Sequence, residues 1–457
     1  MSNNTQDAVY NAKELGVGKV TVLGLQHMFA MFGATVLVPL LTGLNVSTTL
    51  LFAGLGTLLF HAVTKGKVPA FLGSSFAFLG GYFAIAPMID GKSNVEMIPY
   101  ACFGVACAGV LYLVMAVLIK LFSVNRIMKF FPPIVTGPII IAIGLTLSQS
   151  AIDNCATNWW IALVAILTVI ICNIFGKGMI KIVPILIGVV ASYLVAIIAG
   201  QVDFSGVKEA AWIGLPIVKD MTVLGMFGDN FDLSLMITAV VTIMPIALAT
   251  IVEHIGDISA ISSTVGKNYI KEPGLHRTLL GDGLATIVAS LFGAPANTTY
   301  GENTGVLNLS KVYDPMVVRL AAVFAIFFSF CPKFAAAIQA MPASTVGGIS
   351  LILYGMISAV GVRNVVENQV DFTKTRNVII AALILVLSIG INYSAAGSIS
   401  FAIGGITISL SGLAVGALVG IIMNAILPGK DYNFDEEKPE DTGVNFEVGQ
   451  TRSAKAE

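Results

Sequence analysis

Apolar runs long enough to cross a lipid bilayer recur along almost the whole sequence, and one aqueous core could not hide them all. A helix needs about 20 apolar residues to cross the hydrocarbon, and fewer where neighbours shield it. That criterion gives about fourteen candidate spans: 18–40, 48–64, 70–88, 99–121, 133–149, 159–175, 181–200, 233–255, 275–293, 298–310, 315–331, 344–361, 377–392 and 403–427. Composition agrees. Of 457 residues, 56% are hydrophobic and 11% charged, against roughly 25% charged in a soluble domain, and the mean hydropathy is +0.88. The expected fold is an all-α polytopic membrane protein whose third and tenth segments are poor helices.

Other classes drop out on chemistry. A net charge of −1 leaves no basic excess to neutralise a phosphate backbone, so nucleic acid is not an expected partner. The five cysteines show no CxxC spacing for metal or redox work and read as small apolar residues. No histidine–carboxylate spacing points to a metal and no GxSxG motif to hydrolysis, so neither an enzyme nor a cofactor is expected. The polar stretch 1–16 lacks the marks of a removable signal peptide, and 429–457 reads as a disordered cytoplasmic tail. No loop is long enough for a soluble enzyme domain, which places the function inside the membrane.

Lys and Arg test the span count independently, because they concentrate on the cytoplasmic side. With both termini inside, all 25 fall in inner loops or tails except Lys92, Lys208, Lys219 and Lys333. An even number of spans follows. Trp159, Trp160 and, in the acidic outer loop 201–232, Trp212 suit the membrane interface.

A faint repeat divides the chain. Gln26-His27 in the first span returns as Glu253-His254 in the eighth, and Ser74-Ser75-Phe76 in the third as Thr298-Thr299-Tyr300 in the tenth, at nearly equal spacing. An odd number of spans between the copies inverts the second across the membrane, as in many secondary transporters. The segments from Pro69 and from Pro295 each enter the membrane with Pro, Gly and hydroxyl residues. Such backbone survives only where protein or a water-filled cavity satisfies its polar groups, so short extended pieces leading into half-helices are expected there.

Carboxylates inside spans are costly and point to function by default. Glu253 and Asp257 share one face of the eighth helix, Glu302 lies in the broken tenth segment and Asp282 in the ninth. Carboxyl groups close together in a low dielectric can take up and release a proton near neutral pH, which a proton-coupled carrier requires. The alternative is structural: the acids pair with His254 or cap half-helices. His27 and His254 could titrate, or could serve as hydrogen-bonding core residues.

Four runs, Gly24-Leu25-Gln26-His27, Gly73-Ser74-Ser75-Phe76-Ala77-Phe78, Glu253-His254-Ile255-Gly256 and Asn297-Thr298-Thr299-Tyr300-Gly301-Glu302-Asn303 with Gly305, resemble the nucleobase-ascorbate transporter (nucleobase-cation symporter-2) family, over roughly 15–428. The resemblance is to its bacterial uracil carriers. It implies two inverted repeats of seven spans, with short strands in segments three and ten. A core domain would comprise 1–125 and 233–341, and a gate domain 126–232 and 342–428. It also implies a homodimer.

By the same resemblance, Glu253 and Glu302 would hold the base, Phe76 and Gly301 would supply backbone N–H groups, and Tyr300 and Tyr354 would stand nearby. Proton coupling would fall to Asp257 with Glu253 or Glu302, and His254 is a further candidate; the proton is the coupling ion. Two departures are visible. Ser310 replaces the motif's later Thr, and Asp257 stands where a uracil carrier can have His. The implied function is proton-coupled import of uracil across the bacterial cytoplasmic membrane by alternating access. A xanthine or urate carrier is the rival within the class, favoured by Asp257 and opposed by Glu302; an anion transporter of the same architecture is the rival outside it.

Overall fold

The computed structural model describes residues 8–89, 91–227, 231–403, 406–429 and 432; within its helices and strands the side chains of Asn125, Ile182, Glu302, 402–403 and 406–408 are outside that description. Short turns aside, the first half runs α1 (Val17–Thr42), α2 (Val46–Val63), β1 (Leu72–Ser74), α3 (Leu79–Ile85), α4 (Ile98–Phe122), α5 (Pro133–Ala156), α6 (Trp159–Phe175) and α7 (Pro184–Ile198). The second half runs α8 (Leu233–Ile243), α9 (Ile246–Val265), α10 (Leu275–Leu291), β2 (Asn297–Thr299), α11 (Gly301–Ser310), α12 (Pro315–Ser329), α13 (Pro332–Gln339), α14 (Ala343–Glu367), α15 (Thr375–Asn392), β3 (Ser398–Ile403), β4 (Ile406–Ser411) and α16 (Gly412–Ile426).

Local sequence explains many boundaries. Asn45, Asn158, Asp232, Asp314 and Ser411 each accept a backbone N–H of the first helical turn that follows. Gly43 closes α1 in the left-handed conformation, at φ 76°.

Among the described residues, seven helices are long and apolar enough to cross a membrane, or eight if α12 and α13, bent by 86°, form one span. Shorter apolar helices α6, α7 and α16 join them, and the chain is a multi-pass membrane protein. Helices or helix–strand pieces occupy all fourteen expected segments. Two boundaries need correction. The eighth segment, expected to end at 255, breaks at Met244-Pro245 and continues as α9 to Val265. The fourteenth, expected from 403, begins as a hairpin strand, and its helix starts at Gly412.

Its cause is a period of two. Ser398, Ser400, Ser409 and Ser411 lie on one face of the β3–β4 hairpin, and Ile399, Phe401 and Leu410 on the other. Ser398 Oγ and Ser400 Oγ lie 2.8 and 2.7 Å from Ser409 Oγ.

By contact the helices sort into two bundles. One comprises α1, α2, α4 and α8–α12, the other α5–α7 and α14–α16. Each is seamed by facing glycines, as expected where helices associate in lipid through close backbone approach. A Cβ at Gly283 would lie 3.0 Å from Gly109 O in the first bundle, and one at Gly361 only 2.7 Å from Gly137 O in the second. The two broken segments meet at the inner edge of the first bundle.

Candidate functional site

β1 and β2 cross antiparallel, pairing Leu72 with Thr299, Gly73 with Thr298 and Ser74 with Asn297. A strand pair this short inside a membrane needs every backbone group satisfied. Ser75 N donates to Ala296 O at 2.9 Å and Tyr300 N to Phe71 O at 3.0 Å. Leu72 N donates to Thr57 Oγ1 at 2.9 Å, and Asn297 Nδ2 to Phe52 O at 3.0 Å. Tyr300 OH folds back to donate to Ser74 O at 2.8 Å, and Ser74 Oγ donates to Thr35 O at 3.1 Å. The hydroxyl residues that made these segments poor helices are the groups that stabilise them as strands.

Beside the crossing lies a cavity between the bundles. The first bundle contributes Ser74, Phe76, Glu253, Asp257, Thr298, Thr299, Tyr300 and Gly301, and the second Ile140, Ile143, Leu353 and Ile357. One wall is therefore polar and the facing wall aliphatic. Gly301 is the first residue of α11, so its N–H has no helical carbonyl to meet. Glu253 and Asp257, one turn apart on α9, present carboxylates to the same space; Glu253 is half-buried and Asp257 buried.

Five of the residues singled out in the sequence thus line one cavity: Phe76, Glu253, Asp257, Tyr300 and Gly301. Glu302 is the second residue of α11, but its side chain lies outside the described residues. Tyr354 is fully buried on α14, off the cavity wall, with its ring edge-on to Phe76 at 6.5 Å between centroids.

His254 is not on the cavity wall either. It follows Glu253 directly, and one residue is a turn of about 100° on a helix. Its Nδ1 lies 2.9 Å from Asp282 Oδ2, both side chains fully buried, with Phe60 edge-on to the ring. Asp282 is thus paired with His254. His27 is held by Asn303, whose Nδ2 lies 3.1 Å from His27 Nδ1 and donates to His27 O at 3.0 Å.

Three features were not assigned from sequence. Thr299 Oγ1 donates to Asp257 Oδ2 at 2.5 Å, Asn303 secures α1, and four aliphatic residues of the second bundle close the site. The Thr298-Thr299 doublet was a visible signal for the first. Nothing in a pattern of Ile and Leu distinguishes the cavity wall from lipid-facing positions.

A family model described as "Permease family" matches residues 18–397. The chain is 41% identical to "Uracil permease" of Bacillus caldolyticus, over 93% of this chain and 96% of that protein. It is 40% identical to "Probable uracil permease" of Haemophilus influenzae, covering 90% and 94%, and 35% identical to "Putative pyrimidine permease RutG" of Escherichia coli, covering 94% of each. Among solved structures, the transmembrane domain of the cyanobacterial bicarbonate transporter BicA matches with TM-score 0.55 at 14% identity, over 92% of this chain and 99% of that one. SLC26A9 matches with TM-score 0.63 at 12% identity, over 91% and 66%. At such identities the likeness is one of fold alone. The family match and the identities over nearly full length place the chain in this permease family, that of the nucleobase-ascorbate transporters its motifs resemble, and it is a transporter rather than an enzyme.

Proposed function

We propose that this protein is a proton-coupled uracil symporter that works by alternating access. The observation that carries the reading is the polar wall of the cavity, which Glu253 and Asp257 share with Gly301, whose first amide of α11 has no helical carbonyl to meet. Uracil presents imide N–H donors and carbonyl acceptors on one flat edge. Carboxylates take the donors, and main-chain amides meet the carbonyls. Ile140, Ile143, Leu353 and Ile357 cover the ring's faces and edge with apolar surface, as small-ligand sites require. The relatives named as uracil permeases support the substrate class.

Glu302 would take the second ring N–H from its place at the start of α11. Protonation of the acid pair would favour loading, with Asp257 as the relay beside Glu253 and His254 held in its pair with Asp282. Two bundles meeting at the cavity support a mechanism in which one moves against the other, exposing the site to each side in turn. Both termini would lie in the cytoplasm, and the carrier would work as a homodimer, which light scattering of the solubilised protein would report.

The direct test is equilibrium binding of uracil and xanthine to the purified protein. Saturable uracil binding that excess xanthine leaves unchanged supports the reading. Xanthine displacing uracil moves the substrate to purines.

A further inference from the structure

Four hydroxyl-bearing residues line the cavity: Ser74, Thr298, Thr299 and Tyr300. Three are engaged: Ser74 Oγ donates to Thr35 O, Thr299 Oγ1 to Asp257 Oδ2, and Tyr300 OH to Ser74 O. Thr298 Oγ1 is buried and has no hydrogen-bond partner among the described residues. Thr298 itself is only 4% exposed and is fixed at the centre of the strand crossing opposite Gly73. A buried hydroxyl without a partner is costly and calls for an explanation. On a residue that lines a ligand cavity, the ligand is the partner at hand.

The neighbours determine which ligand group that is. Glu253 and Asp257 are given to the ring N–H donors in the reading above, which leaves the ring carbonyls to other groups, and a threonine hydroxyl can donate to one. We propose that Thr298 Oγ1 donates to one ring carbonyl of a bound pyrimidine-2,4-dione and is a specificity-determining contact for oxo over thio substituents. The inference rests on the nucleobase reading above and goes beyond it by assigning one carbonyl to a side chain. Sulfur is a weak hydrogen-bond acceptor, so replacing the correct oxygen removes this contact while preserving the ring's outline.

The test is equilibrium binding of uracil, 2-thiouracil and 4-thiouracil to the full-length protein in three forms: unsubstituted, Thr298→Val and Thr298→Ser. Valine keeps the shape and removes the hydroxyl. Thr298→Val should weaken uracil binding by about three- to tenfold and should erase the oxo-over-thio preference at one of the two ring positions, leaving the other intact. Thr298→Ser, which keeps the donor, should retain both preferences and carries the test if the valine variant is poorly folded. Unsubstituted uracil affinity in Thr298→Val, or both preferences intact in it, would overturn the assignment. If the unsubstituted protein binds no uracil, the nucleobase reading itself fails, and the Thr298 assignment with it.

Discussion

Thr299 Oγ1 donates to Asp257 Oδ2 at 2.5 Å, joining the second strand of the crossing to the helix that carries both cavity carboxylates. The acid proposed to exchange protons is therefore also a fixed point for the strand leading to Gly301. Asn at position 257 keeps an oxygen to accept this bond but cannot ionise. Asp257→Asn should retain uracil binding within about threefold, the scale of one modest hydrogen-bond change, and lose accumulation driven by an inward proton gradient. Uptake measured across external pH checks this; a pH dependence unchanged from the parent would remove Asp257 from the relay.

The two glutamates should behave differently from Asp257. Hydrogen bonds to charged groups contribute about 1.5–3 kcal/mol each. Glu253→Ala and Glu302→Gln should each cut uracil affinity by roughly 10- to 100-fold on that scale, with membrane insertion unchanged. Binding by the purified variants, alongside their abundance in the membrane fraction, separates loss of site from loss of protein. Parental transport by either variant would remove that residue from the site.

Two glycines of the motif segments make opposite predictions. A Cβ at Gly73 would lie 2.4 Å from the Tyr300 ring and 2.7 Å from Thr35 Oγ1, so Gly73→Ala must displace the ring that holds Ser74 O. A loss of about 1–3 kcal/mol is expected from such overpacking. Gly305, inside α11, has nothing within 4 Å of the added Cβ, and Gly305→Ala should be neutral or stabilise by about 0.5–1 kcal/mol. Thermal unfolding of the two variants in the same detergent decides it.

Outside the spans, Lys67 forms an ion pair with Glu272 and holds its carboxyl below the usual glutamate range. A carboxyl whose pKa is depressed on folding stabilises the fold above its unfolded pKa, and that contribution is lost as the pH falls through the folded value. Both side chains are largely exposed, so the effect is small and screened by salt. Glu272→Gln should flatten the acid limb of the melting-temperature profile slightly at low ionic strength and leave it unchanged at high salt.

Much of the architecture was legible because lipid imposes simple rules. Span length, the placement of Lys and Arg, and the Pro- and hydroxyl-rich entries at Pro69 and Pro295 mark the order of segments and their two interruptions. The β3–β4 hairpin was missed because its alternating Ser and Ile residues satisfy an averaged hydropathy as well as a helix does; only the period of two separates them. At the site, residues carrying charge or a distinctive motif were visible, as Glu253, Asp257 and Gly301 show. Pairing of an intramembrane acid with His254 was open as an alternative, but that Asp282 is the acid, and that Thr299 holds Asp257, depends on how separate segments pack. The aliphatic wall at Ile140, Ile143, Leu353 and Ile357 is chemically indistinguishable in sequence from the lipid-facing residues around it.

The central claim is tested most directly by uptake of labelled uracil into proteoliposomes, with and without an inward proton gradient and with excess unlabelled xanthine. The account predicts accumulation that requires the gradient and that xanthine leaves untouched. Equilibration without accumulation would contradict proton coupling, and inhibition by xanthine would contradict the assignment of uracil.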